Sequence, residues 1–473
     1  MNNNIFTISK DANVNYLATI CRIDNMTKME NSDHLYLSVI NGFNIIISDD
    51  FHIGDIVLYF PVETVICSKF LSKNNLYSIN DYDLNDNYSE VDAIKDADPI
   101  KAKSMVGFFN RNGRVRILKL RGQYSQGFIC RIEDLAKYDE SLKDIDYESW
   151  VGISFDEVNG EKFCWKYIPE EKKTLTPYKK VNRRNKKLKR FDRLVPEQFS
   201  YHYDTKQLGP AIHEINPNAI ISITTKLYGT SAIFSNILTY RKLSLFEKIK
   251  NFFGFKVNKE EYGYVYSSKS VIKNRYITKK DPNSFYGQDI WGKVAEVINK
   301  YIPNGMTVYG EIVGYLDGST TMIQKDHDYG CAVGCWKFMP YRITQIDENN
   351  DKTEWNVNLV YNWTIGLINN HPELKNRIMP LNILYYGPAK DLYKDIENSE
   401  HWHEDFLQRL KVDKNFYMEL DEPLCKHKVP REGIVIRVED DLFPRAWKLK
   451  TLRHYGKEAE QHDRGEVDIE EVS

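Results

Sequence analysis

The 473-residue chain has no apolar run near the roughly 20 residues that a membrane-spanning helix requires. Its N-terminus lacks the basic start and apolar core of a secretory signal. Its seven cysteines are scattered, and the closest pair, Cys331 and Cys335, lacks the two-residue spacing typical of zinc and redox sites. We therefore expect an intracellular, cytoplasmic protein with reduced, mostly buried thiols and no membrane partner.

An excess of one charge is also lacking, because 65 Lys and Arg balance 67 Asp and Glu to give a formal net charge of -2. Any attraction to nucleic acid must therefore come from local basic patches. The composition, 42% hydrophobic and 28% charged, is that of an ordinary globular protein, and the length suffices for two or three domains.

Short apolar runs separated by turn residues fill the N-terminal third of the chain. The stretch HLYLSVINGFNIIISDDFHIGDIVLYFPVETVI predicts a hairpin followed by a further strand. In RVRILKLRGQYSQGFICRIEDL, apolar residues are interleaved with Arg114, Arg116 and Lys119. Together these stretches predict a small β-barrel with one basic stripe. We interpret the Asp- and Asn-rich segment at 78–104 as a surface insertion.

A basic segment separates this region from the rest. About half of the residues in 172–193 are Lys or Arg, a density that suits a phosphate-seeking segment, although charge runs are usually solvated hinges without a ligand. We interpret 169–195 as a linker between an N-terminal domain, 1–168, and a C-terminal domain, 196–473.

The C-terminal domain has a mixed pattern, so the fold class expected for the whole chain is α+β. GQDIWGKVAEVINKYI has helical spacing, while MTVYGEIVGY, GIVIRV and RAWKLK predict strands. LSLFEKIKNFFGF predicts a short amphipathic helix, which could lie on a membrane but which we expect to dock on its own domain. The acidic stretch from Lys457 is expected to be a loosely held tail.

The stretch TTKLYGTSAIF places Lys226 where a half-buried strand meets a glycine turn at Gly229. A lysine with an ordinary pKa near 10.4 becomes a nucleophile at neutral pH only when desolvation or neighbouring cations favour its neutral form. In RAWKLKT, Lys448 and Lys450 are two apart and share one strand face, which suits a polyphosphate, while Trp447 and Leu449 point the other way.

Two carboxylates are embedded among apolar strand residues, Glu311 in VYGEIVG and Glu432 in REGIVIR. A carboxylate in such a place needs a cation, a hydrogen bond or a metal to offset its desolvation. A hard, oxygen-ligated ion such as Mg²⁺ fits. The histidine pair of HWH, His401 and His403, has no other ligand nearby in sequence, and we interpret it as structural.

In this order the elements resemble the covalent nucleotidyltransferase superfamily of ATP-dependent ligases and mRNA capping enzymes: a nucleophilic lysine, a carboxylate, the aromatic strand WKFMPYRI, a second carboxylate, and a lysine pair. DNA ligases and capping enzymes carry an OB barrel after the lysine pair, whereas the barrel predicted here comes first. The chain is most similar to RNA ligase family 5, on the stretches IGDIVLYFPVETVI, LRGQYSQGF, HYDTKQL, KLYGTS, VYGEIVG, KVPREGIVIRV, WKLK and GEVDIE.

This resemblance implies an N-terminal OB-type β-barrel followed by a nucleotidyltransferase domain of antiparallel sheets flanked by helices. It further implies an ATP-dependent RNA ligase that seals 3′-OH/5′-phosphate nicks in RNA duplexes through a lysyl-AMP intermediate and an adenylylated RNA end. The cofactors implied are ATP and Mg²⁺ or Mn²⁺. The partner implied is nicked duplex RNA, or an RNA/DNA hybrid, and we expect a monomer.

The resemblance also implies roles for individual residues. Lys226 would attack the α-phosphate of ATP, and Lys448 and Lys450 would contact that phosphate and lower the pKa of Lys226. Glu432 would hold the metal, and Glu311 either the ribose or the same metal's waters. The remaining residues of the nucleotide site would be Gly229, which lets the loop approach; Lys269, near ribose or phosphate; and Phe338 and Val435, on the two faces of adenine.

Arginines would hold the RNA backbone. The predicted contacts are Arg114 and Arg116 with Lys119 and Arg121 in the N-terminal domain, Arg183 and Arg184 in the linker, and Arg437 in the C-terminal domain. Two positions depart from the family, which often has an acidic residue before the nucleophile and a His two after it, where this chain has Thr225 and Tyr228.

Three alternatives stay open. The polynucleotide could be DNA or single-stranded ends, because backbone chemistry at a nick is nearly the same for both sugars. The chain could be a catalytically silent RNA-binding homologue. Labelling by GTP instead of ATP would indicate a capping-type activity.

Overall fold

The computed structural model describes residues 5–30, 32–168, 193–202, 204–273, 288–416, 420–440 and 444–464. The chain divides into two compact units. The first comprises Met1–Pro169, Lys206–Ile212 and Tyr455–Glu460, and the second comprises Glu170–Thr205, His213–His454 and Gln461–Ser473.

The first unit is built mainly from short strands. They are β1 (Phe6–Thr7), β2 (Ala18–Arg22), β3 (Thr27–Lys28), β4 (Leu35–Ile40), β5 (Phe43–Ser48), β6 (Ile56–Pro61), β7 (Thr64–Ile66), β8 (Leu118–Leu120), β9 (Gln123–Ser125), β10 (Gly127–Arg131), β11 (Ser154–Phe155), β12 (Glu157–Val158), β13 (Glu161–Lys162), β14 (Cys164–Lys166) and β15 (Lys206–Gln207). Its helices are α1 (Ser68–Lys73), α2 (Tyr88–Ile94), α3 (Pro99–Ser104), α4 (Asp134–Tyr138) and α5 (Leu208–Ala211).

The predicted hairpin is confirmed. Strands β4 and β5 pair antiparallel from Leu35 opposite Ser48 to Ile40 opposite Phe43. Between them Asn41 and Gly42 have φ of 51° and 77°, as the tight turns favoured by Asn-Gly require. Strand β6 follows, as expected. The segment at 78–104 contains α2 and α3, each of which buries a single residue, so it is more regular than the sequence indicates.

The strands of the first unit belong to several small antiparallel sheets. Their orders are β1-β12-β13, β10-β6-β2-β11, β14-β7, β3-β4-β5 and β8-β9. Across the described part of this unit the hydrogen-bonded ladders do not form one closed ring, so the predicted barrel is not confirmed. The predicted basic stripe does not follow one continuous strand. The backbone of Arg114 forms an isolated β-bridge with Val65, and regular strand pairing begins at Leu118, in β8.

The second unit contains two larger antiparallel sheets. Its strands are β16 (Ile220–Lys226), β17 (Thr230–Tyr240), β18 (Glu260–Ser267), β19 (Met306–Gly314), β20 (Trp336–Ile346), β21 (Lys352–Glu354), β22 (Ile383–Pro388), β23 (Gly433–Val438) and β24 (Ala446–Lys450). Its helices are α6 (Leu245–Phe252), α7 (Ile290–Ile298), α8 (Val357–Asn370) and α9 (Trp402–Val412), and α10 (Leu452–Asp463) begins in it.

One sheet runs in the order β18-β17-β19-β20-β21, and the other contains β22-β16-β23-β24. The predicted strands at 306–314, 433–438 and 446–450 are confirmed, as is helix α7. That helix buries Ile290, Val294 and Ile298 in a hydrophobic cluster with residues of β17, β19 and β20. Antiparallel sheets with flanking helices are therefore the architecture of this unit.

All seven cysteines are free, and five of them are buried, as expected. The acidic end of the chain begins as a helix, because α10 continues to Asp463. None of the helices in the described ranges combines the length and the hydrophobicity that a membrane crossing demands.

Candidate active site

The three predicted catalytic lysines lie on one face of the sheet that contains β16, β23 and β24. Lys226, the last residue of β16, is opposite Gly433, which is in turn opposite Lys450. Two residues further along, Val435 is opposite Lys448. Directly opposed residues of antiparallel strands share a face, so Lys226, Lys448, Lys450 and Val435 point to the same side.

Gly433 makes this arrangement possible. Its φ of +154° and the close approach of β24 leave no room for a side chain, since a Cβ would lie 2.1 Å from the carbonyl oxygen of Leu449. Any larger residue would have to push the strands apart. The space between the two flanking lysines, Lys226 and Lys450, is therefore kept open for their amines.

Glu432 lies at the centre of the lysines. Its side chain is 3% exposed, and its Oε1 is 2.7 Å from Lys226 Nζ and 3.6 Å from Lys450 Nζ. The buried ring of His454, in α10, places Nε2 3.9 Å from the same oxygen. The two lysine ammonium groups offset the cost of burying the carboxylate, as predicted from the sequence. His454 was not predicted, because a single histidine on a helix has no distinguishing pattern.

Lys448 is half-buried beside this cluster. Burial lowers the pKa of Lys448 to about 7, and the charge of Lys450 acts in the same direction. The charges of Lys226 and Lys269 lower this pKa further, whereas Asp204 opposes them. The amine of Lys448 can therefore exchange its proton near neutral pH.

Lys269 and Asp204 extend the site. Lys269 Nζ is 2.6 Å from Asp204 Oδ1, and both side chains are partly exposed. The nearby ring of His202 packs against Tyr341 with its centroid 5.4 Å away. Burial lowers the pKa of His202 to about 3, so the ring is neutral at ordinary pH. Asp204 and His202 belong to the stretch HYDTKQL, in which the sequence analysis assigned no individual role.

Gly229 brings the loop after Lys226 close to Glu311. A Cβ on Gly229 would lie 2.6 Å from the Ile312 carbonyl oxygen and 3.2 Å from Glu311 Oε2. Glu311 itself is 7% exposed on β19, opposite Ser231. The loop can follow this path only because the residue has no side chain. The connection that follows Lys226 therefore passes close to Glu311, which is on the neighbouring strand β19.

Phe338 lies elsewhere than predicted. The residue opposite Glu311 on β20 is Met339, and Phe338 is opposite Ile312, so Phe338 points to the other face of the sheet. Its ring is 1% exposed and packs edge-on against Phe234, with the centroids 5.0 Å apart. It is a core residue here and does not offer a face to a nucleotide. Val435, by contrast, is half-buried on the face of the lysines.

Two of the predicted RNA contacts are engaged inside their own units. Arg437 is 7% exposed, and its guanidinium lies near Glu354 and Glu439 at 3.6 and 3.4 Å and donates to the carbonyl of Trp355. Arg114 is likewise buried. It donates two hydrogen bonds to Glu63, of 2.9 and 2.6 Å, and lies over the ring of Tyr167.

The other predicted RNA contacts differ in exposure. Arg116 is half-buried, and Lys119 and Arg121 are exposed. Arg183 and Arg184 lie outside the described residues.

The two departures from the family pattern take part in packing. Thr225 is 3% exposed, and its hydroxyl accepts a hydrogen bond of 3.0 Å from Asn382. The ring of Tyr228 contacts His327 and His454 edge-on, with centroids 5.1 and 4.8 Å away. Tyr228 thus connects the loop after Lys226 to the histidine that lies beside Glu432.

The donor chemistry at the site fits a hard divalent cation. Glu432 and Glu311 are both more than nine-tenths buried and carry oxygen donors, the ligand type that Mg²⁺ and Mn²⁺ prefer. His401 and His403 are not part of this site: His403 bonds the carbonyl of Ile215 at 3.0 Å.

No family model matches the chain, and no curated protein does. Solved structures of an RNA ligase from Naegleria gruberi do match. A lysine-to-alanine variant with ATP and Mn is 16% identical with a TM-score of 0.51, and the match covers 93% of this chain and 98% of that one. A glutamate-to-alanine variant with AMP and Mn is 18% identical, with the same TM-score and coverage.

The same ligase with PPi gives 16% identity and a TM-score of 0.50 over 95% of this chain and 99% of the other. At such low identity the likeness shows a common fold. This chain therefore shares its fold, over nearly its whole length, with a solved RNA ligase.

Proposed function

We propose that this protein is an ATP-dependent RNA ligase that seals 3′-OH/5′-phosphate nicks in duplex RNA. The observation that carries the proposal is that Lys226, Lys448 and Lys450 lie on the same face of one sheet, with Glu432 2.7 Å from Lys226. The shared fold supports it, because the structures of that fold were solved with ATP, AMP and PPi, the reactant and products of nucleotidyl transfer.

In the first step, Lys226 Nζ attacks the α-phosphorus of ATP. An N–P bond forms, the bond to the bridging oxygen breaks, pyrophosphate leaves, and AMP stays on the lysine as a phosphoramidate. The attack requires a neutral amine. The ammonium group of Lys450, and that of Lys448 while it is protonated, favour the neutral form, whereas the carboxylate of Glu432 favours the charged one.

The other residues bind the nucleotide. Lys448 and Lys450 would contact the α-phosphate and stabilise the charge that develops on it. Lys269 would lie near the ribose or phosphates, and Val435 would cover one face of adenine. Glu432 and Glu311 would hold Mg²⁺ or Mn²⁺, which when bound would neutralise part of the triphosphate charge.

In the later steps AMP passes to an RNA 5′-phosphate, and the neighbouring 3′-OH then attacks that phosphate and releases AMP. Both strand ends must be held in line. We assign this to an OB-type domain at 1–168 and to the basic linker at 169–195 with Arg183 and Arg184, which would grip an RNA duplex or an RNA/DNA hybrid by its backbone. Arg116 stays a candidate contact, while Arg114 and Arg437 would stabilise the protein itself.

The test is the mass of the purified protein after incubation with ATP and Mg²⁺. A gain of one AMP is expected for the wild type and none for Lys226→Ala. Lys411→Ala is the matched control. Burial lowers the pKa of Lys411 to about 8, so Lys411 would also accept AMP if a lowered pKa alone made a lysine reactive. The proposal fails if the wild type gains no mass or if Lys226→Ala still does.

The polynucleotide is tested separately. Nicked duplexes with RNA or DNA on the 3′-OH side should be sealed at different rates, with RNA preferred, because the 2′-OH distinguishes the two sugars. Equal sealing of DNA would favour a DNA ligase. Adenylylation without sealing of any nick would favour single-stranded ends as the substrate.

A further inference from the structure

Helix α6 is fully exposed although much of it is apolar. It connects β17 to β18, and none of its residues is buried. The exposed fractions of its large apolar side chains and of those just beyond it are 80% for Leu245, 65% for Phe246, 54% for Ile249, 84% for Phe252, 69% for Phe253 and 64% for Phe255. The sequence predicted that this helix docks on its own domain, and within the described part of the chain it does not dock.

The first turn of the helix is stabilised by local contacts. Ser244 and Glu247 form a capping box, in which each side chain accepts a hydrogen bond from the backbone of the other residue. Arg241 also pairs with Glu247. These contacts fix the first turn, so the segment can keep its helical shape with its apolar side in solvent.

The apolar side chains form one stripe bordered by lysines. Successive residues of a helix are rotated by about 100° around its axis. The apolar side chains between Leu245 and Phe253 therefore fall within an arc of about 120°. Lys248 and Lys250 lie on either side of this arc, and Lys250 Nζ is 4.7 Å from the centre of the Phe246 ring. Lysines in these positions can extend toward phosphate groups while the stripe enters an apolar layer.

The charge of the segment is strongly positive. Residues 241–259 contain six Lys or Arg and one acidic residue, Glu247, in a chain whose formal net charge is only -2. Because Arg241 pairs with Glu247, the lysines dominate the outer surface of the segment. An anionic layer with an apolar interior is complementary to both features at once.

We propose that α6 binds the surface of membranes that contain anionic lipids, with its apolar stripe at the boundary between headgroups and acyl chains. The helix lies parallel to the surface and does not cross it. This inference is independent of the proposed ligase activity, because it uses no residue of the lysine site.

The position of α6 is compatible with such a role. It begins five residues after Tyr240, where β17 pairs with Glu260 of β18. The other end of β17, at Thr230, adjoins the loop with Gly229. An 11-residue strand is about 35 Å long, so the lysine site is at the far end of the strand from the helix. Membrane binding would leave that site accessible.

The test is cosedimentation of the full-length protein with vesicles of phosphatidylcholine alone or with added phosphatidylserine. Binding to the anionic vesicles is expected, with weaker binding to phosphatidylcholine alone. Phe252→Ser should weaken vesicle binding by about tenfold or more, because a whole aromatic side chain no longer enters the apolar layer. Lys248→Gln with Lys250→Gln should weaken anionic binding by roughly 20-fold and reduce its salt dependence.

Ile100→Ser is the matched control, because Ile100 on α3 of the first unit is 84% exposed, as Phe252 is. It should bind like the wild type. Absence of binding to anionic vesicles, or equal binding by Phe252→Ser and wild type, would overturn the proposal. A third result would also overturn it: no vesicle binding, together with a dimer in sedimentation equilibrium that Phe252→Ser dissociates. The stripe would then be an interface between copies of the chain. Adenylylation is no part of this readout, so the two proposals fail separately.

Discussion

The lysines of β24 and the arginine at Arg114 look alike in sequence, since both alternate with apolar residues in a strand-like stretch, yet the structure uses them differently. Lys448 and Lys450 share a half-buried face with Lys226, and Glu432 Oε1 lies 2.7 Å from Lys226 Nζ and 3.6 Å from Lys450 Nζ. Arg114 is 3% exposed and has its own carboxylate partner, with two hydrogen bonds to Glu63.

The difference lies in how charge is compensated. In the second unit three lysines share one partly exposed sheet face, and several cations on one such face suit a polyanion. In the first unit Arg114 is buried in an ion pair with Glu63, which suits stability and leaves its guanidinium little access to a phosphate. A basic strand-like stretch therefore indicates a binding site where several partly exposed cations share a face, and not where a single arginine is buried in an ion pair.

The largest effect that would test this comparison is on stability. Arg114→Ala is expected to lower the free energy of unfolding by about 3–5 kcal/mol, because it removes the buried partner of Glu63. Urea denaturation measures it. Lys119→Ala, at an exposed position nearby, should change stability by no more than about 0.5 kcal/mol. If Arg114→Ala unfolds like the wild type but binds RNA more weakly, Arg114 is a phosphate contact after all.

The next effect is on catalysis. Lys448→Ala is expected to slow attachment of AMP by about 10²–10³-fold, because a charge that stabilises the transferred phosphate is lost. The rate of mass gain in a quenched time course measures it. Lys352→Ala should keep the wild-type rate, although Lys352 is also a half-buried strand lysine whose pKa burial lowers. A normal rate in Lys448→Ala would remove Lys448 from the site.

A smaller effect concerns pH. The pKa of Lys448 is about 7 in the folded protein and near 10.4 in an unfolded chain, so the unfolded state binds more protons between these values. Stability without ATP should therefore rise by about 1–3 kcal/mol from pH 7 to pH 10, less than the whole shift because solvent screens a half-buried group. Lys448→Met should lose this rise in urea midpoints. If the stability of Lys448→Met still rises with pH as in the wild type, a group other than Lys448 causes the rise.

The smallest effect distinguishes the two faces of β20. Phe338→Leu should destabilise the protein by less than about 1.5 kcal/mol, as a core substitution of similar volume does. Its affinity for ATP, measured by calorimetry with Lys226→Ala as background, should stay unchanged because the ring lies on the face opposite Glu311. A weakened affinity that exceeds the loss of stability would restore Phe338 as an adenine contact.

Local patterns in the sequence predicted much of the fold. Alternation identified β19, β23 and β24, helical spacing identified α7, and the pair Asn41–Gly42 identified the first hairpin. These are properties of neighbouring residues. The arrangement of the N-terminal strands in separate sheets depends on partners far apart in sequence, which alternation does not specify.

The same limit applies to the site. Residue type and strand period sufficed to propose Lys226, Glu432, Lys448 and Lys450 together. The register between β19 and β20 decides whether Phe338 or Met339 faces Glu311. A shift of one residue would exchange the two, and the sequence pattern does not specify the register that closely. Asp204 and His454 enter only through tertiary contacts.

The pairing of Tyr240 with Glu260 has a practical consequence. Because these residues are already opposite each other, the segment that they enclose could be excised and the hairpin rejoined by an Asn-Gly pair, the turn that the protein uses after β4. Such a shortened protein would be a tool for crystallisation. Conversely, the capped helix could be transplanted onto the hairpin of an unrelated protein as a modular attachment tag.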